Sequence, residues 1–176
     1  MSNVALGYPK ISQADFNWIQ SIRETNDRQY DIVEPHVTFV FPTTKLTESE
    51  LVAHVQQKIV GVYRFKITLS KAVVVEDDSK KFFHTFLVPS DGYDEIIALH
   101  DLLYTDALSS ELRADIPFIP HVGIASNEDE AAMRTLADKV NTMGIHITGS
   151  IDELTVAGFD GKRVHDIAKV PLHETQ

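Results

Sequence analysis

Cysteine is absent from the 176 residues, which removes disulfides, thiolate metal sites and cysteine nucleophiles together. Positive charge is scarce: 16 basic side chains stand against 26 acidic ones, a net charge of −10. Proteins that grip a long polyanion carry a basic stripe, because neutralising phosphates drives that binding. Here the nearest basic clusters are the pairs Lys80-Lys81 and Lys162-Arg163. Long nucleic acid is therefore not an expected partner, and solubility accounts for the acidity. No apolar run approaches the ~20 residues that cross a bilayer, so no membrane partner is expected. The opening "MSNVALGYPK" lacks the basic region and apolar core of a signal peptide. These absences predict a cytoplasmic protein. Eight histidines are present, but none form the short His-x₃-His spacing of a metal site, so no metal and no other cofactor is expected.

What is present is an ordinary globular composition, 43% hydrophobic and 24% charged, organised in alternating helix and strand patterns. "NVALGY" reads as a first strand. Ser12 caps a helix from Gln13 to about Arg28, with Phe16, Ile19 and Ile22 at helical spacing. Thr47 and Glu50 have capping-box spacing ahead of a helix whose inner face carries Leu51, Val55 and Ile59. "FKITLSKAVVVE" and "KKFFHTFLV" are long strands around the polar turn "DDSK". Residues 92–107 are expected to form a helix with Ile96, Leu99, Leu103 and Ala107 inward. Asn127 and Glu130 suggest another capping box, opening a helix that bears Leu136, Val140 and Met143. "GIHITGSIDELTVAGFD" and "KRVHDIAKVPL" close the chain as strands turned by "DGK".

The halves repeat. Each runs helix, strand opening with Pro-His-Val, capped helix, then two long strands. Pro35-His36-Val37 matches Pro120-His121-Val122, close to half the chain apart. Such self-similarity predicts an α+β, bilobal, pseudo-two-fold fold, with two antiparallel sheets lining a central cleft and helices outside. Residues 1–176 are read as one such domain. In "EPHVTFVFP", residues i and i+2 share a face. His36 and Thr38 therefore look out together, while Val37, Phe39 and Phe41 form the apolar side.

Two histidines facing across a cleft suit general acid–base chemistry, because imidazole titrates near neutrality. A phosphodiester between them would meet one imidazole as base and the other, protonated, as acid. Adjacent hydroxyls would hold the non-bridging oxygens. "HVTF" at His36–Phe39 and "HVGI" at His121–Ile124 resemble the paired His-x-Thr/Ser motifs of the 2H phosphoesterase superfamily, which includes proteins called 2′-5′ RNA ligases and cyclic phosphodiesterases. The resemblance covers almost the whole chain. It implies a metal-free mechanism on a small cyclic-phosphate nucleotide or a short, 2′-linked RNA end, with His36 and His121 catalytic and Thr38 binding phosphate. Gly123 departs from the pattern, standing where a hydroxyl residue is expected. RNA-processing members also often carry an arginine after the second motif, where this chain has "ASNEDE".

Gly123 is read as part of the substrate site. A glycine inside a strand often marks close approach by a ligand or backbone, so threonine is expected to clash there. Tyr8, ending the first strand, is a candidate to stack on a base or sugar. Lys45 and Lys81 are candidates to raise the potential near the cleft. His54, His100, His146, His165 and His173 are expected to be exposed or structural, and the facing of His84 stays open. A monomer is expected. The rival to an enzyme is a nucleotide- or phosphate-binding module with weak or no turnover. A plain interaction domain would leave the duplicated Pro-His-Val unexplained.

Overall fold

The computed structural model describes residues 1–174. Its strands are β1 (Ser2–Gly7), β2 (Lys10–Ile11), β3 (Val37–Thr43), β4 (Phe65–Glu76), β5 (Phe83–Asp91), β6 (Val122–Asn127), β7 (Ile147–Ile151), β8 (Glu153–Phe159) and β9 (Val164–Pro171). Its α-helices are α1 (Gln13–Asn26), α2 (Glu48–Lys58), α3 (Tyr93–Leu103) and α4 (Glu130–Thr142), with a 3₁₀ segment over Asp106–Glu111. Polar caps explain where several begin. Ser12 accepts from the Asp15 amide, and Thr47 and Glu50 complete a reciprocal capping box. Gly92 starts α3 at φ +81°, where a side chain would lie 2.5 Å from the Lys66 carbonyl, so glycine is required there.

Three local expectations are corrected. Residues 92–107 do not form one helix: α3 stops at Leu103 and the 3₁₀ turn buries Leu108, leaving Ala107 exposed. The fourth helix is capped by Asp129, which accepts from Ala132, while Asn127 accepts one step earlier, from Asp129; Met143, past its end, is exposed. "GIHITGSIDELTVAGFD" breaks at Asp152 into β7 and β8, which belong to different sheets. The Asp152 carbonyl there accepts from Leu172 rather than continuing either ladder.

The fold is α+β with two antiparallel sheets, ordered β3-β1-β8-β9 and β2-β7-β4-β5-β6. The edge strand following each histidine, β3 or β6, is the start of an equivalent series: β3, β1, β8, β9 corresponds to β6, β5, β4, β7. The sheets therefore interleave the sequence halves. Hairpin β4–β5 of the first half pairs with β6 of the second, whereas β8–β9 reaches β3 through β1. Helices follow suit, α1 packing on β6 and α3 on β3. Ile19, Phe39, Leu51, Ile67, Leu87 and Ile124 fill the core.

The repeat extends to backbone irregularity. Leu6 faces Thr38 and Ala5 faces Val40, so β3 carries one extra residue at Phe39. Phe86 faces Gly123 and Thr85 faces Ala125, so β6 carries its extra residue at Ile124. Each bulge turns two successive apolar side chains inward, Phe39 with Val40 and Ile124 with Ala125. This corrects the expected alternation in β3: Phe41 leaves the apolar face and is 43% exposed.

Candidate active site

Each histidine is held by the carbonyl two residues before it, across a proline. His36 Nδ1 lies 2.7 Å from the Glu34 oxygen, and His121 Nδ1 lies 2.6 Å from the Ile119 oxygen. A carbonyl only accepts, so Nδ1 carries the proton and Nε2 has the lone pair. Proline fixes its own φ and keeps its predecessor extended, which aims that carbonyl back at the ring. The repeated Pro-His-Val is thus a tautomer-setting device.

Burial pushes both imidazoles below the ordinary value. For His36 the Glu34 carbonyl opposes this, Arg23 adds to it and Asp27 opposes it. His121 falls to about 4, chiefly through burial, against the Ile119 carbonyl and with the charges of His36 and His84 pushing the same way. The two imidazoles thus lie within electrostatic reach of each other, although His36 does not line the cavity at His121. Both rings are therefore mainly neutral at neutral pH.

The segment leading to His36 is anchored by Arg23, a buried cation that sequence reading passed over. Its guanidinium bonds Asp27 at 2.6 Å, Gln20, and the carbonyls of Gln29 and Val33. Arginine within an amphipathic stripe looks like a surface residue until the following loop folds over it. Thr38 stands on the same side as His36, half-exposed, with no hydroxyl partner among the described residues. Tyr8 lies edge-on to the His36 ring at 6.4 Å. Burial, with Asp166 and Glu34, holds its phenol far above the ordinary range, so it remains a neutral donor.

Around His121 the surroundings differ. Phe86 stacks on its ring at 3.6 Å, and His84 stacks behind Phe86 at 5.5 Å. The facing of His84 is thereby settled: it shares the cleft side of β5 with Phe86. Gly123 is half-buried beside His121, and a Cβ built there meets nothing within 4 Å. Of the two expected reasons for glycine, close approach of backbone is thus set aside, and room for a ligand remains. Lys45 donates to Ser110 and Lys81 sits in the exposed β4–β5 turn; neither lines the cavity at His121, but their amides bond Thr43 and Asp77, which do.

That cavity, about 670 Å³, runs from His121 past Phe86, His84, Phe41, Phe118 and His100. His100, expected to be exposed or structural, is buried and lies face to face with Phe118 at 3.8 Å. The i, i+2 pairing of His84 and Phe86 in a strand that meets the second motif was a usable signal; the contribution of His100 and Phe118 from separate segments was not. A wider depression of about 900 Å³ lies along β2, β7 and β4, around Lys10 and Lys66, and contains no histidine. Among the described residues no group of three or more His, Asp or Glu is arranged to hold a metal.

Comparison with curated protein sequences returns no match. Solved structures share the fold at low identity. E. coli LigT in complex with 3′-AMP superposes with a TM-score of 0.62 at 15% identity, covering 98% of this chain and 99% of that one. Apo LigT gives 0.58 at 17%, covering 98% and 99%. Kluyveromyces marxianus Usb1 gives 0.56 at 13%, covering 97% and 98%. The family model described as 2′-5′ RNA ligase superfamily matches residues 9–163, which include both histidine motifs and the β5 strand beside the second, and the chain belongs to that superfamily.

Proposed function

We propose that this protein is a metal-independent phosphodiesterase that hydrolyses a 2′,3′-cyclic nucleotide or a 2′-5′-linked RNA end by paired-histidine catalysis. The observation that carries the reading is the matched tautomer of His36 and His121, each with Nδ1–H spent on a backbone carbonyl and Nε2 free. With phosphate in the cleft, one neutral Nε2 takes a proton from water as its oxygen bonds to phosphorus. The other imidazole, protonated, gives its Nε2 proton to the departing ribose oxygen, so a P–O bond forms as another breaks. The phosphate's negative charge raises the imidazole pKa values that burial has lowered, so substrate binding itself helps to protonate the acid.

Thr38 donates its free hydroxyl to a non-bridging oxygen, and Tyr8 offers its phenol and ring beside His36. At position 123 a backbone N–H or water takes the place of a hydroxyl. The reading treats residues 1–176 as one bilobal unit working as a cytoplasmic monomer without a cofactor. It is supported by superfamily membership and by the nucleotides named in the related structures, 3′-AMP with LigT and uridine monophosphate with Usb1. A second reading, binding with little turnover, is favoured by Gly123, which supplies no hydroxyl. Purified protein offered 2′,3′-cyclic mononucleotides, with parallel calorimetry of the nucleoside monophosphates, separates the two. Turnover abolished by His36→Ala supports the hydrolase, and tight binding without turnover supports the module.

A further inference from the structure

The cavity beyond His121 has two properties that together constrain its occupant. Its walls are aromatic: Phe86 on His121, Phe41 edge-on to Phe118 at 6.3 Å, and His100 stacked on Phe118. Aliphatic residues such as Val75, Leu112, Ile116 and Ile119 complete the apolar wall, and the charged part of the lining is mostly acidic, with carboxylates from Glu76, Asp77, Asp78, Asp101 and Glu111. Arg113 is the one Arg or Lys on that lining. Its guanidinium is already forked onto Asp115 at 2.9 and 2.8 Å and reaches Asp78 at 3.4 Å. Burial lowers the pKa values of His84, His100 and His121, so on the lining itself carboxylates outnumber cations.

The corresponding strand of the first half presents a different face. Leu6 stands opposite Thr38 as Phe86 stands opposite Gly123. Yet Leu6 and Val4 are sealed beneath Tyr8, Val33 and Val164. The cavity beside His121 has a volume in the range of small-molecule pockets.

We infer that this cavity seats a flat aromatic substituent of the phosphodiester that is uncharged or bears an amine, and that its carboxylates reject a second phosphate on that side. Resting on the phosphodiesterase reading, this selects the single-phosphate nucleotide over the RNA end as substrate. Aromatic walls stack on any base, while the acidic rim repels a further anion most strongly where salt does not screen it.

The test compares adenosine 3′-monophosphate with adenosine 3′,5′-bisphosphate by calorimetry, and the 2′,3′-cyclic phosphate with its 5′-phosphorylated form by turnover, at low and high salt. The expected result is about tenfold preference for the compound with a single phosphate group at low salt, equivalent to one factor of ten in Kd, shrinking as salt rises. Asp78→Asn, which removes an exposed carboxylate and loosens Arg113, should reduce that preference. Phe118→Leu should weaken both ligands about equally and leave the ratio intact. Equal or tighter binding of the bisphosphate at low salt, or binding of neither compound, overturns the inference. Discrimination in binding without turnover leaves it standing and removes the hydrolase reading; turnover without discrimination does the reverse.

Discussion

The two histidine-bearing halves use one backbone plan and two different sets of side chains. In both, a proline sets the carbonyl that holds Nδ1, the histidine precedes an edge strand, and a bulge follows three residues later. The neighbouring strand then diverges. Beside His36 it supplies Val4 and Leu6, closed over by Tyr8 and Val33. Beside His121 the same register supplies His84 and Phe86, left facing a cavity. Threonine on the first side is matched by glycine on the second. The symmetric element is an imidazole with a fixed tautomer. The asymmetric element is its surroundings: hydroxyl and phenol at His36, aromatic faces at His121.

Removing either imidazole tests the symmetric part most severely. His36→Ala and His121→Ala should each lower kcat/KM by about 10²–10⁴-fold, the contribution of one acid or base. Circular dichroism should remain unchanged. Near-native turnover in either variant would break the pairing.

The next effects come from the differing hydroxyl positions. Thr38→Val keeps a β-branched residue in the strand and removes one hydrogen bond to a charged oxygen. Such a bond contributes ~1.5–3 kcal/mol, so kcat/KM should fall about 10–150-fold. Gly123→Thr makes the halves alike. No described atom lies within 4 Å of the added Cβ, so thermal stability should hold. KM for a small cyclic nucleotide should fall severalfold by the same reasoning. A rise in KM with unchanged stability would mean that substrate itself occupies that space.

A smaller effect is expected from pH. His121 is depressed to about 4 in the folded protein against ~6.5 when unfolded. Between those values the unfolded chain binds more protons, so stability should decline as pH falls from about 6.5 towards 4 and be fully retained above. His121→Gln should flatten that decline in thermal melts. The kcat/KM profile should be bell-shaped, with its acid limb below the ordinary imidazole value and apparent constants belonging to the coupled pair. The smallest expected effect is that of EDTA: none on rate. Loss restored by a divalent metal would point to a different hydrolase chemistry.

Much of the fold was legible because it is written in local periodicity. β4 spans the stretch read from its alternation and apolar run, and the Ser12 and Thr47 caps hold as read. The paired histidines were legible because Pro-His-Val is short and repeated. Phe41 was misplaced because a bulge depends on the partner strand, which no single-strand alternation contains. The open space beside Gly123 was not legible, because it is a property of distant segments.

By itself the sequence determined the α+β repeat, the Ser12 and Thr47 caps, the superfamily and the two Pro-His-Val motifs, since these rest on spacing along the chain. Tertiary structure decided that the halves exchange hairpins between sheets and that Arg23 is a buried anchor. It also decided that His84, Phe86, His100 and Phe118 meet around one acidic cavity. Those outcomes depend on which strand faces which and on what desolvates each group, and both are set only when residues remote in sequence pack together.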